Sequence, residues 1–196
     1  DLNLPQKQAV LHTEGPLMVI AGAGSGKTRV LTYRIANLIK KKVDPFNILA
    51  LTFTNKAAKE MTHRIEQLLG GSVRGLSMGT FHSTCARILR READNLTHYD
   101  RDFVIFDTAD QLQVIKQALK DLNLDDKKFP PNKMRHGIGS AKNELITPDS
   151  YQATNYRAEI TKRIYSRYQE ILQANNAMDF DDLLMNTVLL FDERPD

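Results

Sequence analysis

The stretch Leu17-Met18-Val19-Ile20-Ala21-Gly22-Ala23-Gly24-Ser25-Gly26-Lys27-Thr28-Arg29 decides how the rest of the chain is read. A short apolar run ends in a glycine cluster and reads as a buried strand. Three glycines separated by small residues then make a turn that most side chains would obstruct. From Lys27 to Lys40, apolar residues fall at Val30, Leu31, Ile35, Leu38 and Ile39, a helical spacing. Strand, glycine-rich loop and helix in that order is the setting of a phosphate-binding loop, whose backbone N–H groups wrap a phosphate. The helix N-terminus adds further donors and the positive end of its dipole. Lys27 then neutralises the β- and γ-phosphates, and Thr28 offers its hydroxyl to Mg²⁺. Ala21 stands where the usual pattern has its first glycine, a departure of one methyl group.

Working outward, the α/β alternation continues. Asp44-Pro45 breaks the helix, and Ile48-Leu49-Ala50-Leu51-Thr52-Phe53 reads as a second buried strand. Asn55 is placed to cap the next helix, which carries Met61, Ile65, Leu68 and Leu69 and ends at Gly70-Gly71. Leu76 to Thr80 is a weaker third strand, followed by a helix from Phe81 to about Asn95. Short links between strands and helices predict a parallel sheet covered by helices. Beyond Arg90 the pattern becomes mainly helical. Phe103-Val104-Ile105-Phe106 is one strand-like piece, and Asp107-Thr108 caps a helix through Leu122. Further helices are expected near Met134 to Leu145, over Pro148 to Asn175, and from Met178-Asp179-Phe180 onward.

Composition narrows the class. The 196 residues include one cysteine, which excludes a disulfide framework and a multi-cysteine metal site. Pro16 to Ala21 is the longest apolar run and is too short for a bilayer, so a cytoplasmic protein without a membrane partner is expected. Lys and Arg number 27 against 24 Asp and Glu, a mild excess that permits a polyanionic partner without requiring one.

A phosphate loop alone specifies only a nucleoside triphosphate. Its flanks are more specific. Leu2-Asn3-Leu4-Pro5-Gln6-Lys7-Gln8-Ala9-Val10 precedes it, Thr52-Phe53-Thr54-Asn55-Lys56-Ala57-Ala58-Lys59-Glu60-Met61 follows the second strand, and Gly79-Thr80-Phe81-His82-Ser83 follows the third. Ile88-Leu89-Arg90-Arg91, Ala141-Lys142-Asn143-Glu144-Leu145 and Met178-Asp179-Phe180-Asp181-Asp182-Leu183-Leu184 continue the series. In this order the segments resemble the motifs of superfamily 1 DNA helicases of the UvrD/PcrA/Rep type, over nearly the whole chain.

The resemblance implies an α/β fold: a RecA-like P-loop parallel sheet flanked by helices, with a mainly helical insertion subdomain. Residues 1–89 and 178–196 would form an incomplete RecA-like subdomain 1A, and residues 90–177 the helical insertion 1B. It implies an ATP-dependent 3′-to-5′ helicase or translocase of DNA repair or replication, using ATP and Mg²⁺. Its partners would be single-stranded DNA, single/double-strand junctions and repair or transcription proteins. The nucleotide would be held by Gln6, Ala21, Gly22, Ala23, Gly24, Ser25, Gly26, Lys27, Thr28 and Arg29, with Lys27 and Thr28 catalytic and Gln6 reading the adenine edge. DNA would meet Thr52, Phe53, Thr54, Asn55, Thr80, Phe81 and His82, with Lys142 and Asn143 of the insertion. The Asp-Glu motif and the opposing lobe are not found in this sequence, so little turnover is expected from residues 1–196 by themselves. A non-catalytic DNA- or protein-binding module and a P-loop small-molecule kinase are the alternative functions.

Taken alone, several of these residues read differently. Phe53 reads as the last core residue of its strand, His82 as a helix-start histidine, and Gln6 carries no signal of its own. Val188-Leu189-Leu190-Phe191-Asp192-Glu193 imitates a magnesium-binding strand, but its apolar residues share a helical face with Leu183, Leu184 and Thr187, so it is read as helix. Asp179, with Asp181 and Asp182 behind it, reads as a helix cap with acids in the first turn, not as a metal site. Arg135-His136-Gly137-Ile138-Gly139-Ser140-Ala141-Lys142 resembles a DNA-binding hairpin turn and is read as a flexible turn between helices.

Overall fold

The computed structural model describes residues 2–195, which form two compact units divided after Thr84. The first begins with α1 (Leu4–Leu11), an element the sequence reading left out. Its signal was nonetheless present: Asn3 and Gln6 form a reciprocal capping box, and a proline lies in the first turn. Helix α2 (Lys27–Lys40) buries Val30, Thr32, Ile35 and Ala36. Arg34 Nη1 donates to the carbonyls of Ala9, at 2.7 Å, and His12, and Asn37 Nδ2 donates to Val10 O, so α2 closes the last turn of α1.

Strands β1 (Leu49–Thr52) and β2 (Ser77–Thr80) pair in parallel, Leu49 opposite Ser77 and Thr52 opposite Thr80. Helix α3 (Asn55–Leu69) is the crossover between them. Its cap is Thr54, not the expected Asn55: Thr54 is extended and its hydroxyl accepts from Ala57 N at 3.1 Å, while Asn55 is already helical. Gly70, in the left-handed region at φ 76°, ends α3 as predicted. Ile35, Ile48, Ala50, Met61 and Ile65 form the core of this unit.

The expected first strand does not form. Leu17 to Ala21 pairs with no described strand, and Met18 and Ile20 are 84% and 90% exposed. A strand exists only where another backbone accepts its hydrogen bonds, and the described sheet here has two strands.

Helix α4 (Phe81–Arg91) runs across the division, and a short 3₁₀ turn (Ala93–Asn95) extends it. In the second unit, β3 (Val104–Phe106) pairs in parallel with β4 (Ala177–Asp179). Asp107 caps α5 (Thr108–Asp121), accepting from Ala109 N and Asp110 N. Helix α6 (Pro131–Asn143) follows, then α7 (Tyr156–Ala174), then α8 (Phe180–Glu193). Helix α7 starts later than expected because Pro148 lies in a Thr147–Ser150 turn and Asn155 is its cap. The Asp-Glu imitation at Val188 to Glu193 lies within α8, as its periodicity indicated. Arg135 to Lys142 is neither a hairpin nor a flexible turn but the interior of α6. A Cβ at Gly139 would stand 2.8 Å from Asp181 Oδ2 of α8, so a larger residue there would displace that carboxylate. Ile115, Leu119, Ile138, Ile164, Tyr165, Tyr168 and Leu172 make the main core. Strand β4 and helix α8 pack within this second unit.

Candidate nucleotide and nucleic-acid site

The loop from Ala21 to Gly26 is held by its own polar groups. Gly24 and Gly26 are left-handed, at φ 73° and 84°. Ser25 Oγ donates to Gly22 O at 2.6 Å. Lys27 Nζ donates to Ala21 O at 3.0 Å and Gly22 O at 2.7 Å, which bends the ammonium back over the loop. Gly26 precedes α2 without a side-chain cap, so the first N–H groups of α2 have no side-chain acceptor from their cap residue. A Cβ at Gly22 or Gly24 would meet nothing within 4 Å, so the space beside the loop backbone is open. Donors without a side-chain cap, an adjacent ammonium and open space beside the loop fit a polyphosphate. Thr28 and Arg29 are exposed in the first turn of α2. Gln6 reaches the same loop from α1, its Nε2 donating to Ser25 O at 2.9 Å.

The next two segments meet at the carboxyl end of the paired strands. The register places Thr52 opposite Thr80, so the residues after each strand emerge side by side. Phe53 is 92% exposed and is not a core residue. Its ring centroid lies 5.9 Å from that of Phe81, at an interplanar angle of 44°. Beneath the rings, Thr52 and Thr80 are buried. Thr52 Oγ1 donates to Thr54 O, and Thr80 exchanges reciprocal bonds with Ser83 at the start of α4. These threonines shape the backbone, while the two aromatic faces stay open. Asn55 is exposed in the first turn of α3, and His82 is half-buried.

Lys142 departs from expectation. Its side chain has no exposed surface, and Nζ lies 2.8 Å from both Asp179 Oδ2 and Asp182 Oδ1. Tyr168 OH also donates to Asp179 Oδ2 at 2.7 Å, and the Tyr168 ring lies 5.0 Å from the ammonium. Burial opposes the charge on Lys142, but Asp182 and Asp179 outweigh it and hold its pKa above the ordinary lysine range. This lysine is structural and is not displayed to a ligand. Asn143 is exposed and donates to Gly139 O of its own helix. The sequence did carry the signal for Lys142: with Met134, Ile138 and Ala141 it falls on the buried stripe of α6.

Among the described residues no helix is long and apolar enough to cross a membrane. The profile of the UvrD/REP helicase N-terminal domain matches residues 2–196. The chain is 51% identical over 198 residues to the ATP-dependent DNA helicase PcrA of Staphylococcus aureus (strain NCTC 8325 / PS 47) and 52% identical over 198 residues to that of Bacillus subtilis (strain 168). The PcrA of Staphylococcus epidermidis is 50% identical over 199 residues. In each case the whole of this chain is covered, and it spans 27% of the relative's length. A match across nearly every residue, at half identity, shows that the chain belongs to the UvrD/REP helicase N-terminal domain family.

Proposed function

We propose that the intact protein is an ATP-dependent 3′-to-5′ DNA helicase or translocase of repair or replication, and that this chain supplies its first nucleotide- and DNA-binding lobe. The observation that carries the proposal is the presence, in one compact unit, of an open glycine loop with its lysine and of an exposed aromatic pair.

Residues 21–28 would hold the phosphates through backbone donors and Lys27, Thr28 would be a ligand to Mg²⁺, and Gln6 and Arg29 would be the residues available to the base and sugar. Mg²⁺-ATP, when bound, supplies the phosphoryl group whose transfer to water drives the cycle. Phe53 and Phe81 stack on bases of single-stranded DNA, which is tolerant of sequence because every base has a π-face. Thr52, Thr54, Asn55, Thr80 and His82 set the backbone and polar edges of that track. Residues 1–196 alone bind nucleotide weakly and turn it over little, because the resemblance places the opposing lobe and the Asp-Glu pair elsewhere in the intact protein.

The test is DNA-stimulated ATPase and the unwinding of 3′-tailed against 5′-tailed duplexes by the intact protein, with Lys27→Ala as control. Loss of a charge-assisted phosphate contact weakens ATP binding about tenfold or more. Phosphoryl transfer to a small acceptor would instead identify a kinase. Salt-dependent DNA binding with no ATPase would identify a passive binding module.

A further inference from the structure

Gln6 has both ends of its amide committed inside the protein. Oε1 accepts from Asn3 N at 3.0 Å, and Nε2 donates to Ser25 O at 2.9 Å. In return, Asn3 Oδ1 accepts from Gln6 N at 2.9 Å. The amide can therefore face only one way: turned over, its NH₂ would oppose the Asn3 N–H and its oxygen would oppose the Ser25 carbonyl. Ser25 lies between the two left-handed glycines of the loop, Gly24 and Gly26, and its hydroxyl is tied to Gly22 O, the same carbonyl that accepts from Lys27 Nζ. The contact is also close-fitting, because a Cβ on Gly26 would stand 2.9 Å from Gln6 Nε2.

We propose that Asn3 is a positioning residue for the phosphate loop: its backbone N–H holds Gln6 Oε1 and so aims Gln6 Nε2 at the Ser25 carbonyl, fixing the loop ahead of Lys27. The proposal rests on the nucleotide reading above and deepens it. It assigns Gln6 a contribution that does not depend on the base, so a ligand with phosphates and no base feels it.

Three substitutions in the intact protein separate the parts. Asn3→Ala removes the side-chain cap but keeps the N–H. Asn3→Pro removes both, and the observed φ of −72° suits proline, so the difference between the two variants isolates the N–H. Gln6→Glu keeps the Oε1 acceptor and the helix cap but puts an acceptor where Nε2 donated. The measurements are hydrogen–deuterium exchange of the amides at 22–27 without ligand, and calorimetric affinity for inorganic tripolyphosphate and for ATP. Asn3→Pro and Gln6→Glu should speed loop exchange and weaken tripolyphosphate about fivefold, the value of one hydrogen bond, with Asn3→Ala affected less than Asn3→Pro. Wild-type loop exchange and tripolyphosphate affinity in Asn3→Pro and Gln6→Glu would overturn the proposal, including the case where only preference for ATP over GTP is lost. If the wild type binds neither ligand, the nucleotide reading fails, and the exchange measurement still decides the role of Asn3.

Discussion

Lys142 and Asp182 form a fully buried ion pair, Nζ to Oδ1 at 2.8 Å, and Asp179 closes the other side of the same ammonium at 2.8 Å. One cation thus joins α6 to β4 and to the first turn of α8. Removing it leaves two carboxylates in the core with no counter-charge. Lys142→Ala is expected to lower unfolding free energy by about 3–5 kcal/mol, the usual cost of breaking one side of a buried pair. Denaturant unfolding measures it. DNA affinity per folded molecule should stay at the wild-type value, because the ammonium is not on the surface.

The same cluster predicts a pH dependence. Burial raises the Asp182 carboxyl from its ordinary 3.8 to about 6, with Lys142 opposing the shift and Asp179 adding to it. Asp179 is lowered: burial pushes it up, but Lys142 and the bonds from Asp182 N and Tyr168 OH prevail. Between pH 3.8 and about 6 the folded protein therefore holds a proton on Asp182 that the unfolded chain has released. Stability from this group is full below that window and is lost as pH rises through it. Asp179 contributes in the opposite sense, only below 3.8. The unfolding free energy of wild type minus that of Asp182→Asn should fall by about 2–3 kcal/mol from pH 4 to 7. A flat difference would show that Asp182 titrates normally.

Phe53 and Phe81 should matter to DNA and little to folding. Each offers an exposed ring face, and Phe53 makes almost no core contact. Phe53→Ala is expected to weaken oligo-dT binding by about 1–3 kcal/mol, the range for one stacked base. Fluorescence anisotropy against salt concentration checks it. The slope of log affinity with log salt should not change, because no charge has been removed. Phe81→Ala should act similarly, with a larger loss of stability because that ring is more covered.

What could be read from the sequence follows the range of the forces involved. Local signals were legible: Gly70 ends α3, Asp107 and Asp179 cap their helices, and the periodicity around Val188 marks a helix. Elements that exist only through distant partners were not. Leu17 to Ala21 is apolar enough for a strand, but apolarity does not supply a hydrogen-bonding neighbour. Met178 and Asp179 read as the beginning of a helix because so short a stretch shows no alternation, and only the pairing of Ala177 to Asp179 with Val104 to Phe106 makes a strand there. Phe53 shows the limit at the site. Hydrophobicity alone buries it, and only the turn into α3 after β1 leaves it in solvent.

Gly26 and Gly22 should respond differently to the same added methyl group. Gly26 sits at φ 84°, where an L side chain is strained, and its Cβ would press on Gln6 Nε2 at 2.9 Å. Gly22 has no positive φ and open space on the Cβ side. Gly26→Ala should therefore cost about 1–2 kcal/mol of stability and displace the Gln6 contact to Ser25. Gly22→Ala should leave the unfolding midpoint close to wild type, since its Cβ meets no protein atom. Its effect should appear only with ligand, where a methyl group takes space beside the phosphate. Thermal unfolding with and without ATP separates the two. Gly26→Ala should lower the midpoint in both conditions, and Gly22→Ala should reduce only the upward shift that ATP produces.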